Sequence, residues 1–421
     1  MIQTIELMPG VTLRCFADHR FHQGCLSFQL VRPMDQAEAA YNAIIPAILL
    51  RGTQRHPDLR AITLRLDELY GASVGTLVRR VGDYQTTGLS CGFIDDRFAL
   101  PGDRVLEPMM DFLRQLLLEP VMEDGGFSRS FVESEKKNLI ATIESELNDK
   151  QVYAMSQMLK TMCRADSYGV PRLGDVESVE AIEPRSLFEH YQRILRESRI
   201  DIFYVGSAPA EQVAELMDPI LKAIDRNYVN LPPQSDFRDA GGEDRTDRLD
   251  VTQGKLCLGY VTPITNRSAD FAAMQVMNTV FGAGMTSKLF MNVREKLSLC
   301  YSIGSGYYGA KGIVTVSAGI DFDKEQQTRE EICRQLDACC RGEISDEELN
   351  SAKEALLSSL RGSHDSPGAI EGYYATAALS GTDRTPETHM EAIRAVTAEQ
   401  VARVARSLTL HTTYFLKGVT E

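Results

Sequence analysis

Side chains that could bind a metal are sparse in this sequence, and few stand at useful spacings. Among the seven histidines only His19 and His22 form a close pair, and they lie between strand-like stretches beside Asp18 and Arg20. A zinc site needs two further ligands at fixed geometry, and the neighbouring sequence offers no obvious ones. We therefore expect a polar surface turn here rather than a metal centre.

Motifs for nucleophilic or phosphate chemistry are also missing. The Gly-x-Ser-x-Gly sequence of a nucleophile elbow does not occur. Two glycine-containing segments, residues 281–285 and 304–307, do not match a phosphate-binding loop. The chain therefore shows no self-contained catalytic motif of these classes.

Arg294 and Tyr301 of the second half carry a guanidinium and a phenol, which are groups that can donate to a peptide carbonyl or a developing oxyanion. Each residue alone has an ordinary explanation: a helix-end salt bridge with Glu295 for Arg294, and a half-buried strand aromatic for Tyr301. Gly284 and Ser287 more simply serve the entry into a helix.

A segment of the first half resembles a known family. Residues 42–53, Asn-Ala-Ile-Ile-Pro-Ala-Ile-Leu-Leu-Arg-Gly-Thr, resemble the part of the pitrilysin/insulinase (M16) zinc peptidases where His-x-x-Glu-His precedes Lys/Arg-Gly-Thr. In that motif the two histidines bind zinc and the glutamate is the general base. The residues here at those three positions are Ala43, Pro46 and Ala47. None of them can bind a cation or move a proton.

The third zinc ligand of that family is the second glutamate of a Glu-Lys/Arg-x-apolar-apolar-x-x-Glu pattern. Glu135 fits the first position here, but Thr142 stands where the ligand belongs. Glu144, two residues further, would lie about 200° around the helix from Thr142. The resemblance therefore implies a chain with no cofactor of its own, with zinc expected only in a partner subunit.

The second half resembles the second-domain motif of the same family. A Gly-rich turn leads to Ser-x-Leu-Phe and Val-Arg-Glu-Lys, with a tyrosine seven residues after the arginine. In the family this Arg and Tyr face the zinc site, bind the substrate backbone and help to stabilise the tetrahedral intermediate. The resemblance thus implies that Arg294 and Tyr301 bind substrate.

The elements that must position these residues form two similar series. Apolar periodicity predicts a strand, two helices and two strands in each half. The predicted ranges are 22–33, 36–51, 58–70, 72–80 and 84–95 in the first half, and 255–263, 268–281, 285–297, 299–307 and 312–321 in the second. Each half ends in a final predicted strand, Ile200–Val205 or Thr412–Leu416. Helix-start signals at Glu183-Pro184 and at Thr397 support the helices that precede them.

These series predict an α+β fold made by duplication. Two M16-type domains are expected, each a mostly antiparallel sheet packed with helices. The N-terminal domain, with the degenerate zinc motif, comprises residues 1–228. A linker rich in Pro, Gly and charge follows at 229–248. The C-terminal domain, residues 249–421, keeps the Arg/Tyr motif.

Length and composition limit the number of domains, the kinds of partner and the cellular compartment that we expect. A chain of 421 residues makes two domains the usual expectation, and a net charge of −14 disfavours nucleic acid or an anionic membrane as the main partner. No apolar run approaches the roughly 20 residues that span a bilayer, and the N-terminus lacks a signal-peptide pattern. The nine cysteines, without Cys-x-x-Cys spacing, indicate buried free thiols. We therefore expect a cytoplasmic protein.

The resemblance implies the non-catalytic subunit of a heteromeric M16 zinc peptidase. Several bacterial systems divide the work between a subunit with the zinc ligands and an inactive one with the Arg/Tyr pair. The expected partner is a zinc-bearing M16 subunit, the expected ligand is an extended peptide, and the isolated chain could form a homodimer. Two alternatives stay open: a peptide-binding or scaffold protein with no role in proteolysis, and an autonomous enzyme with rewired metal ligands.

Overall fold

In a computed structural model, residues 2–419 are described and form two compact units. Unit 1 contains the residues up to Ile143, with Val170–Gln234 and His364–Thr376. Unit 2 contains Glu144–Gly169, Ser235–Ser363 and the residues from Ala377 onward. Each unit therefore includes a segment from the other half of the chain, which the sequence pattern does not indicate.

The strands are numbered in chain order. Those of unit 1 are β1 (Ile2–Met8), β2 (Val11–Ala17), β3 (Gln23–Pro33), β4 (Ser73–Val81), β5 (Tyr84–Ile94), β6 (Met122–Glu123), β7 (Gly126–Phe127) and β8 (Arg199–Gly206). Those of unit 2 are β9 (Glu243–Leu249), β10 (Gly254–Val261), β11 (Cys300–Tyr308), β12 (Ile313–Ile320) and β13 (Thr409–Gly418). Strand β9 lies largely within the predicted linker, residues 229–248.

The α-helices are α1 (Ala39–Leu49), α2 (Leu59–Glu68), α3 (Leu106–Leu118), α4 (Arg129–Ser145), α5 (Lys150–Met162), α6 (Val176–Glu180), α7 (Pro184–Glu197), α8 (Ala210–Lys222), α9 (Phe271–Asn278), α10 (Glu325–Arg341), α11 (Asp346–Gly362), α12 (Pro367–Leu379), α13 (Pro386–Ala395) and α14 (Ala398–Ala405). Two π-helical segments cover Thr279–Ala283 and Leu289–Lys296. Pro184 occupies the first turn of α7, and Thr397 caps α14 with Gln400, as predicted. No helix among residues 2–419 is long and apolar enough to cross a membrane.

Each unit is organised around one mixed sheet. The sheet of unit 1 has the order β1-β2-β8-β3-β5-β4, and only the β2–β8 pair is parallel. The sheet of unit 2 has the order β11-β12-β10-β13-β9, and only the β13–β9 pair is parallel. The prediction of an α+β fold with mostly antiparallel sheets is confirmed, and the predicted elements are present with ends shifted by a few residues.

The core of unit 1 follows from the strand and helix periodicities. Leu26, Phe28 and Leu30 alternate along β3 and are all at most 2% exposed. They lie in one apolar cluster with Phe112 and Leu116, which are four residues apart on α3. Full burial of a side chain of this size contributes about 1.5–3 kcal/mol. The alternating and helical patterns thus account for the main core.

The sheet of unit 2 is covered on one face by α5, which comes from the first half of the chain. Met158 and Met162 of α5 are fully buried in a cluster with Cys257 and Tyr414. Gly259 of β10 permits this close approach, because a Cβ there would lie 2.6 Å from Met162 Sδ. Helix α5 is therefore a structural part of unit 2.

Unit 1 receives the corresponding contribution from the first turns of α12. Glu371 is 3% exposed, and its carboxylate accepts hydrogen bonds from Ser27 Oγ (2.8 Å), Gln29 Nε2 (2.7 Å) and Arg79 Nη2 (2.8 Å). Ser27 and Gln29 are buried polar residues of β3, where an apolar strand would otherwise be expected. Their partner on α12 explains why polar side chains occupy these positions.

Candidate functional site

The positions of the zinc motif lie on α1 of unit 1. Ala43 and Pro46 are buried and Ala47 is partly buried, in the middle of the helix. Pro46 also removes one main-chain N–H from the helix. None of the three side chains has an atom that could coordinate a metal ion, so α1 carries only packing residues at these positions.

Asn42, the polar residue next to these positions, belongs to a buried hydrogen-bond network. The Asn42 amide donates to Gln85 Oε1 (2.9 Å), and its oxygen lies 2.8 Å from His190 Nε2. Arg193 Nη2 lies 2.8 Å from the other ring nitrogen of His190. Asn42 and Gln85 are at most 1% exposed. This network fixes α1 against β5 and α7 and leaves Asn42 no role as a ligand.

Helix α4 carries Glu135 and Thr142, the residues compared above with the third-ligand pattern. Glu135, the acid that fits the family pattern, forms an ion pair with Arg51 beyond the end of α1, and Arg51 also donates to Ser134 Oγ (2.5 Å). Thr142 is exposed, and its hydroxyl donates to the carbonyl of Asn138 (2.9 Å). Within residues 2–419, no group of three or more His, Cys, Asp or Glu side chains is arranged to hold a metal ion.

Arg294 of unit 2 lies on the π-helical segment Leu289–Lys296. Its guanidinium stacks over the ring of Phe290, 4.6 Å from the centroid, and lies 3.7 Å from Glu295 Oε1. The side chain is 40% exposed. An exposed ion pair of this length contributes little, so the stacking on Phe290 sets the direction of Arg294.

Tyr301 occupies an irregular position at the start of β11. Cys300 pairs with Ile320 and Ser302 pairs with Gly319, so Tyr301 is the extra residue of a β-bulge. A bulge redirects a side chain, and Tyr301 is 62% exposed. This exposure differs from that of an ordinary half-buried strand aromatic.

The hydroxyl of Tyr301 donates to Asp321 Oδ1 at 2.9 Å. This hydrogen bond to a carboxylate favours the neutral phenol and raises the pKa of Tyr301. Lys324, 2.9 Å from Asp321, lowers the pKa of that carboxyl, and the bond from Tyr301 lowers it further. The phenol is therefore held as a donor, and it must exchange acceptors to bind a carbonyl.

Arg294 and Tyr301 are joined by a short, well-fixed connection. The Ser298 N–H donates to the Arg294 carbonyl (3.1 Å), and Ser298 has a left-handed conformation (φ 49°). Burial raises the pKa of Cys300 to about 11, and the nearby charge of Arg294 opposes this rise. π-Helical segments and bulges occur often at functional sites, and here each carries one of the two candidate residues.

Arg294 and Tyr301 could be predicted from the sequence, but three residues that orient them could not. Phe290 supports Arg294, and Asp321 and Lys324 hold Tyr301. Asp321 lies in the acidic turn that follows β12. Nothing in the local sequence connects that turn with Tyr301, twenty residues earlier.

Exposed apolar side chains flank this segment. Met285 is 78% exposed, Met291 48% and Leu297 42%. Large exposed apolar side chains around polar groups are typical of surfaces that contact other molecules. The candidate site is therefore the surface segment from Met285 to Tyr301, with Arg294 and Tyr301 as its polar groups.

Comparisons with known proteins agree with this description. The family model for the peptidase M16 inactive domain matches residues 181–356. The protein named "Probable inactive metalloprotease YmfF" of Bacillus subtilis (strain 168) is 29% identical over 409 residues, which cover 97% of this chain and 96% of that protein.

Two solved structures share the whole fold. A conserved protein from Enterococcus faecalis V583 superposes with a TM-score of 0.93 at 28% identity, covering 100% of this chain and 99% of the other. A peptidase M16 inactive domain from Pseudomonas fluorescens has a TM-score of 0.83 at 18% identity, with coverage of 100% and 98%. The two-domain fold expected from the resemblance is confirmed.

Proposed function

We propose that this chain, which is similar to the peptidase M16 inactive domain and to a probable inactive metalloprotease, is the non-catalytic subunit of a heteromeric M16 zinc peptidase. In this proposal it supplies Arg294 and Tyr301 to a zinc-bearing partner subunit. Zinc and the general base belong to that partner. The substrate is a peptide in extended conformation, and the free thiols support a location in the cytoplasm.

One observation carries the proposal. The zinc positions of unit 1 hold inert side chains, whereas in unit 2 Arg294 is partly exposed, Tyr301 is exposed, and both are held by irregular backbone. Packing does not require a π-helical segment and a bulge that turn an arginine and a tyrosine toward solvent. A binding role accounts for both irregularities, because they leave two donors accessible to a ligand.

The chemistry of the two side chains fits a peptide main chain. The guanidinium of Arg294 can donate to a carbonyl or to a developing oxyanion, and it is always charged. Tyr301 remains a neutral donor because the bond to Asp321 raises its pKa. Donors fixed before the substrate binds stabilise charge that develops during hydrolysis, and removal of one such donor typically reduces turnover by about 10²–10³.

The test is the substitution Arg294→Ala in a pair reconstituted with its zinc-bearing partner. We expect kcat/KM for peptide hydrolysis to fall by about a hundredfold or more, with the pair intact by size-exclusion chromatography. Arg341→Ala is the matched control, because Arg341 is also an exposed arginine with a local acidic partner, Glu343. Unchanged activity of the Arg294→Ala pair would rule out the proposed contribution to the site.

A peptide-binding or scaffold protein without a role in proteolysis is the second candidate. The hydrogen bond from the Tyr301 hydroxyl to Asp321 favours this candidate, because the hydroxyl already donates to a carboxylate of its own chain. Capture of the tagged chain from its host's lysate, with mass spectrometry of co-purifying proteins, separates the two. A stoichiometric M16 partner with intact His-x-x-Glu-His supports the peptidase subunit, and recovery of the chain alone supports the second candidate.

A further inference from the structure

A cavity of about 350 Å³ lies in unit 1, at the place where α3, α7 and α8 end. All of its lining residues belong to unit 1, and neither Arg294 nor Tyr301 is among them. Pockets for small molecules measure about 300–1,000 Å³, and an engineered cavity of about 150 Å³ holds benzene. This cavity therefore has room for one small molecule that contains an aromatic ring.

The inner wall of the cavity is apolar. Leu117 at the end of α3 and Tyr191 and Leu195 of α7 are buried there. The Tyr191 hydroxyl donates to the Leu117 carbonyl (2.6 Å), so its hydrogen bond is made within the wall. The ring of Phe188 packs edge-on against Phe127, with the centroids 5.3 Å apart. A wall of aromatic and aliphatic side chains selects a ligand with an apolar body, and its fixed rings favour an aromatic one.

Two opposite charges stand at the solvent-facing side of this cavity. Among the thirteen described residues that line it, only Arg196 and Asp225 carry a charge. Arg196 Nη2 lies 3.3 Å from Asp225 Oδ2, and the two side chains are 51% and 89% exposed. An exposed ion pair contributes little to stability, so a ligand can separate the two charges at small cost.

Hydrogen bonds hold these charges in place beside the apolar wall. Arg196 Nε donates to the Asp225 carbonyl (3.2 Å), and the Asn227 N–H donates to the Arg196 carbonyl (3.0 Å). Arg226 Nη1 donates to the Leu195 carbonyl (2.5 Å), so this arginine serves the end of α7. The segment after α8 is thus fixed to α7 before any ligand binds, which lowers the entropy cost of binding.

We propose that this cavity binds a free α-amino acid with an aromatic side chain. The carboxylate of the ligand pairs with Arg196, its ammonium pairs with Asp225, and its ring lies against Phe188 and Tyr191. A ligand with a single charge would leave Arg196 or Asp225 without a partner. A zwitterion matches both, because its two charges are attached to the same carbon atom. This site is independent of the proposed function.

A ligand series tests which groups the cavity recognises. The probe is L-phenylalanine, titrated into the full chain by isothermal titration calorimetry at neutral pH, and we expect a Kd below about 1 mM. Phenethylamine lacks the carboxylate, hydrocinnamate lacks the ammonium, and L-alanine lacks the ring. Each of these three should bind at least about tenfold more weakly, because each loses a charge-assisted hydrogen bond or the apolar contact.

The substitution Arg196→Gln tests the carboxylate contact. It should weaken phenylalanine binding about tenfold and leave phenethylamine binding within about twofold of wild type, because phenethylamine has no carboxylate to lose. Arg185→Gln is the matched control, since Arg185 is an exposed arginine of the same helix that pairs with Glu189. This control should bind both ligands like wild type.

The substitution Asp225→Asn tests the ammonium contact in the same way. It should weaken phenylalanine binding about tenfold without weakening the binding of hydrocinnamate, which has no ammonium. Asp218→Asn is the matched control, because Asp218 forms an exposed pair with Lys222 on α8. All four altered residues lie at the surface, so the variants should fold, and circular dichroism checks this.

Failure of phenylalanine to bind the wild-type chain would overturn the proposal. So would equal affinity for phenylalanine and any member of the ligand series, or an equal loss of phenylalanine and phenethylamine binding in Arg196→Gln. N-acetylphenylalaninamide carries neither charge and represents a residue within a protein chain. If it binds as tightly as phenylalanine, the cavity accepts a protein segment and not a free amino acid. Should a variant not fold, the ligand series on the wild-type chain decides.

Discussion

The solvent exposure of Arg294 and Tyr301 depends on the irregular backbone at each residue. One lies on a π-helical segment and the other in a bulge, and each contacts a side chain that sets its direction, Phe290 for Arg294 and Asp321 for Tyr301. Their seven-residue spacing was visible in the sequence. Their backbone irregularity was not, because it arises from pairing with β12 and packing of the whole segment.

His190 is the residue from which we predict a pH dependence of stability. It is 8% exposed, Nδ1 faces the Arg193 guanidinium, and Nε2 faces Asn42 Oδ1. Nδ1 therefore accepts and Nε2–H donates, which is the neutral ring. Burial lowers the pKa of His190 to about 4, with Arg193 adding to this effect and Glu38 opposing it.

Because the folded pKa lies below the unfolded value of about 6.5, the unfolded state takes up the proton first on acidification. The contribution of His190 to stability is complete above about pH 6.5 and is lost as the pH falls toward 4. We expect the free energy of unfolding to fall by about 1–2 kcal/mol more between pH 7 and pH 5 in wild type than in His190→Gln. Urea unfolding at the two pH values measures this, and equal losses would contradict it.

His190 was an isolated histidine in the sequence analysis, and the structure shows why no pattern marked it. Its partner Asn42 is 148 positions away, and only the packing of α7 on α1 brings them together. Asp321 and Lys324 were missed for the same reason. Residues that act through local spacing could be found from the sequence, whereas residues that act through tertiary contacts could not.

At the level of elements, the Lys311–Asp166 pair fixes the turn between β11 and β12. Both side chains are fully buried, with Nζ 3.1 Å from the carboxylate, and Nζ also donates to Ser235 Oγ (3.1 Å). Asp166 further accepts hydrogen bonds from the N–H groups of Arg238 and Tyr168. The pair therefore connects three separate segments of unit 2.

We expect Lys311→Met to lower the free energy of unfolding by about 3–5 kcal/mol, because it leaves a buried carboxylate without its cation. Lys222→Met is the control, since Lys222 forms an exposed pair with Asp218 on one helix and its loss should cost less than about 0.5 kcal/mol. Chemical denaturation of both variants measures the difference. Similar midpoints would show that the buried pair does not support the turn.

Most elements could be predicted from periodicity, and the exceptions have physical causes. Residues 285–297 were predicted as a helix, and the structure has a π-helical segment at 289–296, since the hydrophobic pattern does not distinguish the two. The segment 243–249 was assigned to a linker because of its charge. It forms β9 because the last strand, β13, offers a parallel edge far along the chain.

For the whole molecule, the residues at the positions compared with a zinc motif lead to a direct prediction. Ala43, Pro46, Ala47 and Thr142 offer no ligand set, so purified chain should contain zinc well below one equivalent by elemental analysis. If the chain binds no metal, its melting temperature should not change with EDTA, since only a bound metal adds to the stability of the folded state. Stoichiometric zinc that a chelator removes with loss of stability would instead support the autonomous enzyme.

The exchange of segments between the two units has a consequence for how the protein is made. Unit 1 has most of its chain by Gln234, but its sheet also needs Glu371 from α12. At about 5–20 residues per second, a ribosome takes on the order of ten seconds to supply that helix. During this time Ser27, Gln29 and Arg79 have no carboxylate to bind. The nascent first unit is thus incomplete until synthesis is nearly finished.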